Sequence, residues 1–277
     1  MEKISNKSKI YSSFTMICLA ILAVFFIFPL YWIFTGSVKT GAEINSQTPS
    51  FIPLEPTIQN YTKLFSNPAW LWLFNTIFIA VMALILTCIT AAMAGYVFAK
   101  KRFPGRIIIF TLMICAMALP KQVILIPLLK EMSFLKLHDT LWAVILPTVG
   151  WPFGVFLMKQ FSEGIPTQLL EAARIDGAGE TRTFLEIVLP IIKPGLGALA
   201  IFTFITAWND YFLQLIMLNK NRSLTISLGI ANLQAENATD FGLIMAGAAL
   251  AAIPILTVFL IFQKYFTQGI TMGAVKG

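Results

Sequence analysis

Charge is scarce in this chain: Asp, Glu, Lys and Arg make up 12% of 277 residues, about half the fraction of an ordinary soluble domain. Hydrophobic residues account for 57%. A water-soluble fold of this length has no interior for so much apolar surface, so the excess faces lipid. Histidine is scarcer still. His138 is the only one, in a short loop beside Asp139, and reads as a solvated loop residue rather than a ligand or a base. A Ser/His/Asp nucleophilic set therefore has nothing to draw on, and no H-E-x-x-H pair exists. Cys18, Cys88 and Cys115 all lie inside apolar runs, which argues against a disulfide framework and against a metal site. No G-x-x-x-x-G-K-[ST] phosphate loop occurs, so the chain is no ATP-hydrolysing motor and binds no cofactor of its own. The net charge of +7 would suit nucleic acid, but the basic residues are dispersed in short clusters between apolar runs. That is the pattern of membrane topology, and no nucleic-acid partner is expected.

What is abundant is hydrocarbon. Six runs approach the roughly 20 residues a bilayer-crossing helix needs: near 12–34, 70–94, 107–129, 141–158, 197–218 and 243–263. These define an all-α membrane protein. The fourth run is short. The third contains Pro120, Lys121 and Pro127, so its outer end is expected to be kinked or broken. The first follows Lys3, Lys7 and Lys9, but its length, with Pro29, Tyr31 and Trp32 near its end, argues for a retained span rather than a signal peptide.

Orientation follows from the basic residues. The N-terminus, the KKRFPGR loop, the 159–195 loop and the C-terminus hold thirteen, the alternate loops six, with Lys121 left near a span end. The richer side is cytoplasmic, which puts both termini inside.

The 159–195 loop carries the most polar island of the chain, EAARIDGAGETRTFLEIVLP at 171–190. IPTQLLEAARID reads as a short helix, with Pro166 in its first turn, Leu169, Leu170, Ala172 and Ala173 as a small apolar ridge, and Gly177 as its stop. Asp176 opposes the helix dipole, so a cap or a partner contact must explain it. Gly177 is expected at positive φ. A second helix over roughly 180–189 carries Phe184, Ile187 and Val188 on one face, and Pro190 is expected to end it. Paired alanines allow close approach of another surface, and Glu171 offers a carboxylate for an arginine. The combination describes a docking knob. An amphipathic linker at the headgroup level is the plain alternative, and the spacing argues against it.

Glu171, Ala172 and Ala173, then three residues, Gly177, nine residues, Ile187, one residue, Leu189 and Pro190 fit the signature of ABC importer membrane subunits. PLYWIFTGSVK at 29–39, NTIFIA at 75–80, the LP…IPL pattern at 119–128, LHDTLWAVILP at 137–147 and AWNDY at 207–211 resemble sugar-importer permeases. The closing GITMGAVKG resembles the tail of the smaller permease subunit of maltose-type importers. The likeness spans essentially the whole chain. It implies a single permease domain over 1–277 with the type I ABC importer architecture of six transmembrane helices. It implies as partners a second, homologous permease, a dimer of ATPase subunits that bind the ATP and Mg, and an extracellular sugar-binding protein that delivers a sugar or oligosaccharide. The loop residues Glu171, Ala172, Ala173, Asp176, Gly177, Ile187, Leu189 and Pro190 then form the ATPase-coupling element. Gly273, Val275, Lys276 and Gly277, in the small and nearly uncharged 268–277 tail that follows Lys264, Tyr265 and Phe266, would insert between the ATPase subunits; simple disorder is the plain alternative.

Within the spans, Thr203, Thr206, Asp210 and Gln214 fall at spacings that share a helical face. With Trp208 for stacking on a sugar ring and Asn209 beside Asp210, they form a candidate substrate path. The plain alternative is that Asp210 and Asn209 bond a neighbouring helix. Asp210 also supports the strongest rival reading, an ion-coupled secondary transporter, since such proteins keep ionisable residues near the midplane. No inverted repeat accompanies it.

Overall fold

The structure, a computed structural model, describes residues 6–236 and 240–274, with side chains over 11–236 and 240–262. Among the described residues all regular structure is helical. In chain order the helices are α1 (Asn6–Gly36), α2 (Gly41–Ile44), α3 (Gln59–Phe65), α4 (Ala69–Lys100), α5 (Arg106–Met117), α6 (Lys121–Phe134), α7 (Trp142–Val149) and α8 (Phe153–Glu163). There follow α9 (Thr167–Ile175), α10 (Glu180–Thr183), a π-helical turn Phe184–Val188, α11 (Leu189–Asn209), α12 (Tyr211–Met217), α13 (Ile226–Glu236) and α14 (Phe241–Ala274). So many β-branched and aromatic residues stay helical because a helix satisfies its backbone internally where no water is available.

Among the described residues five stretches are long and apolar enough to cross a membrane: Tyr11–Gly36, Ala69–Lys100, Trp142–Glu163, Glu180–Asn209 and Phe241–Phe262. The expected third span is two helices, α5 and α6, bent by 108° at their junction. Pro120 causes this bend: its ψ of 130° is extended, and its ring denies the chain an amide donor. Pro127 lies inside α6 without breaking it. The expected fourth span is likewise in two pieces, interrupted at 150–152, where Gly150, Trp151 and Pro152 separate α7 from α8.

The fifth span departs further from expectation. Pro190 does not end the preceding helix. It enters the first turn of α11, where a missing N–H costs nothing, and the chain stays helical from Glu180 through Asn209. The break comes instead at Asp210, whose ψ of 66° leaves the helical region. The stripe of Thr203, Thr206, Asp210 and Gln214 on one continuous helix is therefore not realised. At the far end, helix continues through Ala274, so the 268–274 part of the tail is not the irregular segment expected. Val275, Lys276 and Gly277 lie outside the described residues.

The chain divides into two compact units, Met1–Ala69 with Ile230–Ala252, and Trp70–Gly229 with Ile253–Gly277. In the first, buried Asn60 donates to Ser37 O and Lys39 O at 2.9 and 2.8 Å, and Lys63 pairs with Asp240 at 2.7 Å. The sulfur of Met245 lies 2.1 Å from where a Cβ at Gly36 would stand, so a larger residue there would displace the Met245 side chain. The central residues of α1, including Phe14, Val24, Phe25 and Phe26, are about two-thirds exposed, as suits a helix facing lipid or another chain.

The second unit holds the broken helices. Its loop residue Asp139 ties 135–141 to 217–223: Oδ1 accepts from Asn219 N and Lys220 N at 2.9 and 3.0 Å. Oδ2 pairs with the Lys220 ammonium at 3.0 Å, and the Asp139 amide donates to Met217 O at 2.9 Å. Burial alone would raise the Asp139 carboxyl, but the two amides and the Lys220 ammonium outweigh it and hold it down at about 2. Its φ of 62° is one that Asp tolerates better than most residues.

Candidate functional site

The island at 159–195 builds one continuous element in the second unit. Pro166, in extended conformation, precedes α9, and Thr167 begins it. Leu170 and Ala173 turn inward and are buried, whereas Leu169, Glu171, Ala172 and Ile175 face outward. Ile175 is 86% exposed, unusual for a large apolar residue unless another surface covers it. The paired alanines thus divide, Ala173 packing inward and Ala172 exposed.

α9 ends in a Schellman closure. The Ala178 amide donates to Ala173 O at 2.9 Å and the Gly177 amide to Arg174 O at 3.1 Å. Gly177 has φ +77°, and nothing lies within 4 Å of where a Cβ would stand. Asp176 is the exposed C-cap residue. Its opposition to the helix dipole is weak there because solvent screens it.

Leu170 anchors this knob in a core of Ala91, Ala92 and Tyr96 from α4, Met158 from α8, Val188 at the end of the π-helical turn and Ile192 beyond it. Half-buried Ile187 and Leu189 pack against that core, and Pro190 is exposed. The wide π turn brings Phe184 to a ring-centroid distance of 5.7 Å from Tyr96. Lys100 donates to Ile165 O at 2.6 Å and Glu163 O at 3.1 Å, satisfying carbonyls at the end of α8. Glu180 is a hub not singled out from the sequence. It pairs with Lys101, the residue just past α4, and with Arg174 of α9 at 3.1 Å, and accepts from Tyr96 OH at 3.5 Å. Glu180 thereby links the end of α4 to α9, beside an open groove of about 490 Å³.

The candidate substrate path is mostly internal. Thr203 and Trp208 are buried, and Trp208 stacks on Phe204 at 5.6 Å. Gln214 is fully buried, donating to Ala207 O at 2.9 Å and accepting from Thr225 at 2.7 Å. Asn209 is exposed but donates to Ile205 O of its own helix. Thr206 is half-buried. Asp210 accepts from Leu213 N at 3.4 Å, capping α12, and lies 3.5 Å from the Lys121 ammonium. Among the described residues no group of three or more His, Cys, Asp or Glu could hold a metal.

Residues 89–272 match the binding-protein-dependent transport system inner membrane component family. The chain belongs to that family. Among this permease's relatives is the arabinooligosaccharides transport system permease protein AraQ of Halalkalibacterium halodurans, 33% identical over 98% of both chains. AraQ of Bacillus subtilis is 32% identical over all of both. The galactooligosaccharides transport system permease protein GanQ of Bacillus subtilis is 32% identical over 95% of each. The fold resembles a chain in the crystal structure of a bacterial ABC transporter involved in the import of the acidic polysaccharide alginate. The TM-score is 0.83 at 23% identity, covering 96% of this permease and 100% of that chain. It is thus a multi-pass membrane protein of a binding-protein-dependent transport system.

Proposed function

We propose that this permease forms half of the translocation pathway of an ATP-driven sugar or oligosaccharide importer and couples it, through 171–190, to a separate ATPase. The observation that carries the coupling role is the two-faced α9: Leu170 and Ala173 buried in the core, Ile175 and Glu171 presented outward. Hydrolysis in another polypeptide must reach the spans through a stiff contact, and this knob is joined to α4, α8 and α11 by one packed cluster. The six-span architecture, with α5 and α6 as one broken span and both termini cytoplasmic, rests on the basic-residue distribution. The partners are a second homologous permease, two ATPase subunits holding ATP and Mg, and an external binding protein; this chain is non-enzymatic. The sugar class rests on the full-length relatives AraQ and GanQ.

Two substitutions test it. Glu171→Ala removes a charge-assisted bond worth about 1.5–3 kcal/mol at the contact. Ile175→Asp forfeits burial of about 1.5–3 kcal/mol and adds a buried charge. Both variants should insert normally yet lose co-purifying ATPase and sugar uptake. Normal ATPase recovery and uptake in both would defeat the coupling role. An ion gradient driving uptake without any ATPase would instead establish the secondary-transporter reading.

A further inference from the structure

Three of the interruptions in the second unit meet at one place. Lys121 is the first residue after the 108° bend between α5 and α6. Trp151 stands between α7 and α8, and Asp210 between α11 and α12. These residues line a single pocket together with Gln122 and Thr148, in a wall otherwise apolar. The Lys121 ammonium lies 4.9 Å from the centre of the Trp151 ring and 3.5 Å from Asp210 Oδ2. Interrupted helices are where membrane transporters expose backbone polar groups to a cargo, because a continuous helix has none to spare. An ion pair at the breaks of apolar helices is costly unless it faces protein or water.

We propose that this pocket is a carbohydrate subsite of the permease itself, in which the Trp151 ring takes the apolar face of a neutral sugar ring and Asp210 and Lys121 take its hydroxyls. The proposal rests on the reading of the chain as a sugar importer, and moves the substrate contacts from Trp208 and Gln214 to Trp151 and Lys121. The chemistry is matched. A carboxylate accepts from hydroxyls, an ammonium donates to them, and an indole face is apolar. The pair is neutral overall, so it favours a polyol over an anion or a cation. In this structure the pocket is small, about 70 Å³, and the ammonium lies over the ring face that a sugar would use. The contact at 3.5 Å is loose for an ion pair, and the two side chains are 35% and 17% exposed. A sugar therefore displaces Lys121 from the ring while exchanging one set of polar contacts for another, and the three helix breaks are the hinges that give it room.

The test uses the complete importer, with its permease partner, ATPase and binding protein, reconstituted in liposomes. Labelled arabinotriose, galactotriose and maltotriose are supplied with saturating binding protein. Under that condition selectivity changes arise in the membrane. Trp151→Leu should lower sugar moved per ATP by about fivefold, the scale of one aromatic contact. Trp151→Phe should restore most of it, and Lys121→Gln should alter the preference among the three sugars. Unchanged sugar-per-ATP ratios and preferences in Trp151→Leu and Lys121→Gln would overturn the subsite while leaving the importer intact. So would a fall in complex yield or ATPase rate with preference unchanged, which marks the pair as a structural tie alone. A wild-type complex that moves none of the three would overturn the importer reading and the subsite with it.

Discussion

Gly177 isolates backbone strain from packing. Its φ of +77° belongs to the left-handed region, and a Cβ there would meet nothing within 4 Å. The cost of substitution is therefore conformational, with no clash added. For an L-residue that region costs about 1–2 kcal/mol, with a β-branched side chain at the upper end. Asn, which tolerates the conformation, should cost a few tenths. The outer bond of the α9 closure depends on that φ, because the Ala178 amide reaches Ala173 O only through it. A penalty of about 1–2 kcal/mol shifts the closed turn's population by a factor of about 5–30. Arg174 and Arg182 are exposed on either side of the turn, so tryptic cleavage there reports its opening. The expected order of cleavage rate is Gly close to Asn, then Ala, then Val, with sugar moved per ATP falling in the same order. Val behaving like wild type in both assays would refute the reasoning, and so would Asn disrupting as much as Val.

Two further outcomes follow from the same geometry. Glu180→Gln weakens two pairs in which Glu180 itself is largely exposed, each worth about 0.2–1 kcal/mol. Thermal stability should barely change, while sugar moved per ATP falls because α9 is no longer tied to Lys101; an unchanged ratio would count against the hub. Asp139→Asn keeps the positive φ but removes the charge that two amides and Lys220 hold, each charge-assisted bond being worth about 1.5–3 kcal/mol. The Asp139 carboxyl is held at about 2, below its ordinary value of about 3.9. Its stabilisation is complete above that ordinary value and is lost as pH falls from about 4 through 2. Wild type should therefore lose more thermal stability than Asp139→Asn on acidification through that window, and parallel losses would refute the assignment.

Much of the architecture was legible because lipid imposes a simple rule: long apolar runs become helices. α1, α4 and α14 contain the spans expected near 12–34, 70–94 and 243–263. The positive φ of Gly177 was legible because a glycine after an apolar ridge has few other uses. Pro190 misled because proline stops a helix only from its interior, and a π turn just before it lets the chain begin another helical stretch in register. The Asp210 break was hidden because AWNDYF carries no proline or glycine. There the carboxylate caps the next helix by accepting from Leu213 N, a tertiary choice that periodicity cannot register. Glu180 was hidden for a related reason, since its partners Lys101 and Arg174 are respectively 79 and 6 residues away.

The break at Asp210 has a general physical cause. Periodicity extrapolates a helix through any residue compatible with it, so it fails where a polar side chain gains more from ending the helix than from continuing it. In water that competition is mild, because solvent satisfies either outcome. Among apolar helices it is severe: each freed amide or carbonyl costs several kcal/mol unless a partner is present, and a break persists only where partners have been provided. Asp210 supplies its own by capping α12, and Lys121 stands beside it. The places where a helix-only reading of this chain fails are thus the places where the fold has gathered polar groups within an apolar sequence. For a protein that must pass a hydrophilic cargo through hydrocarbon, those are the positions at which the cargo can be met.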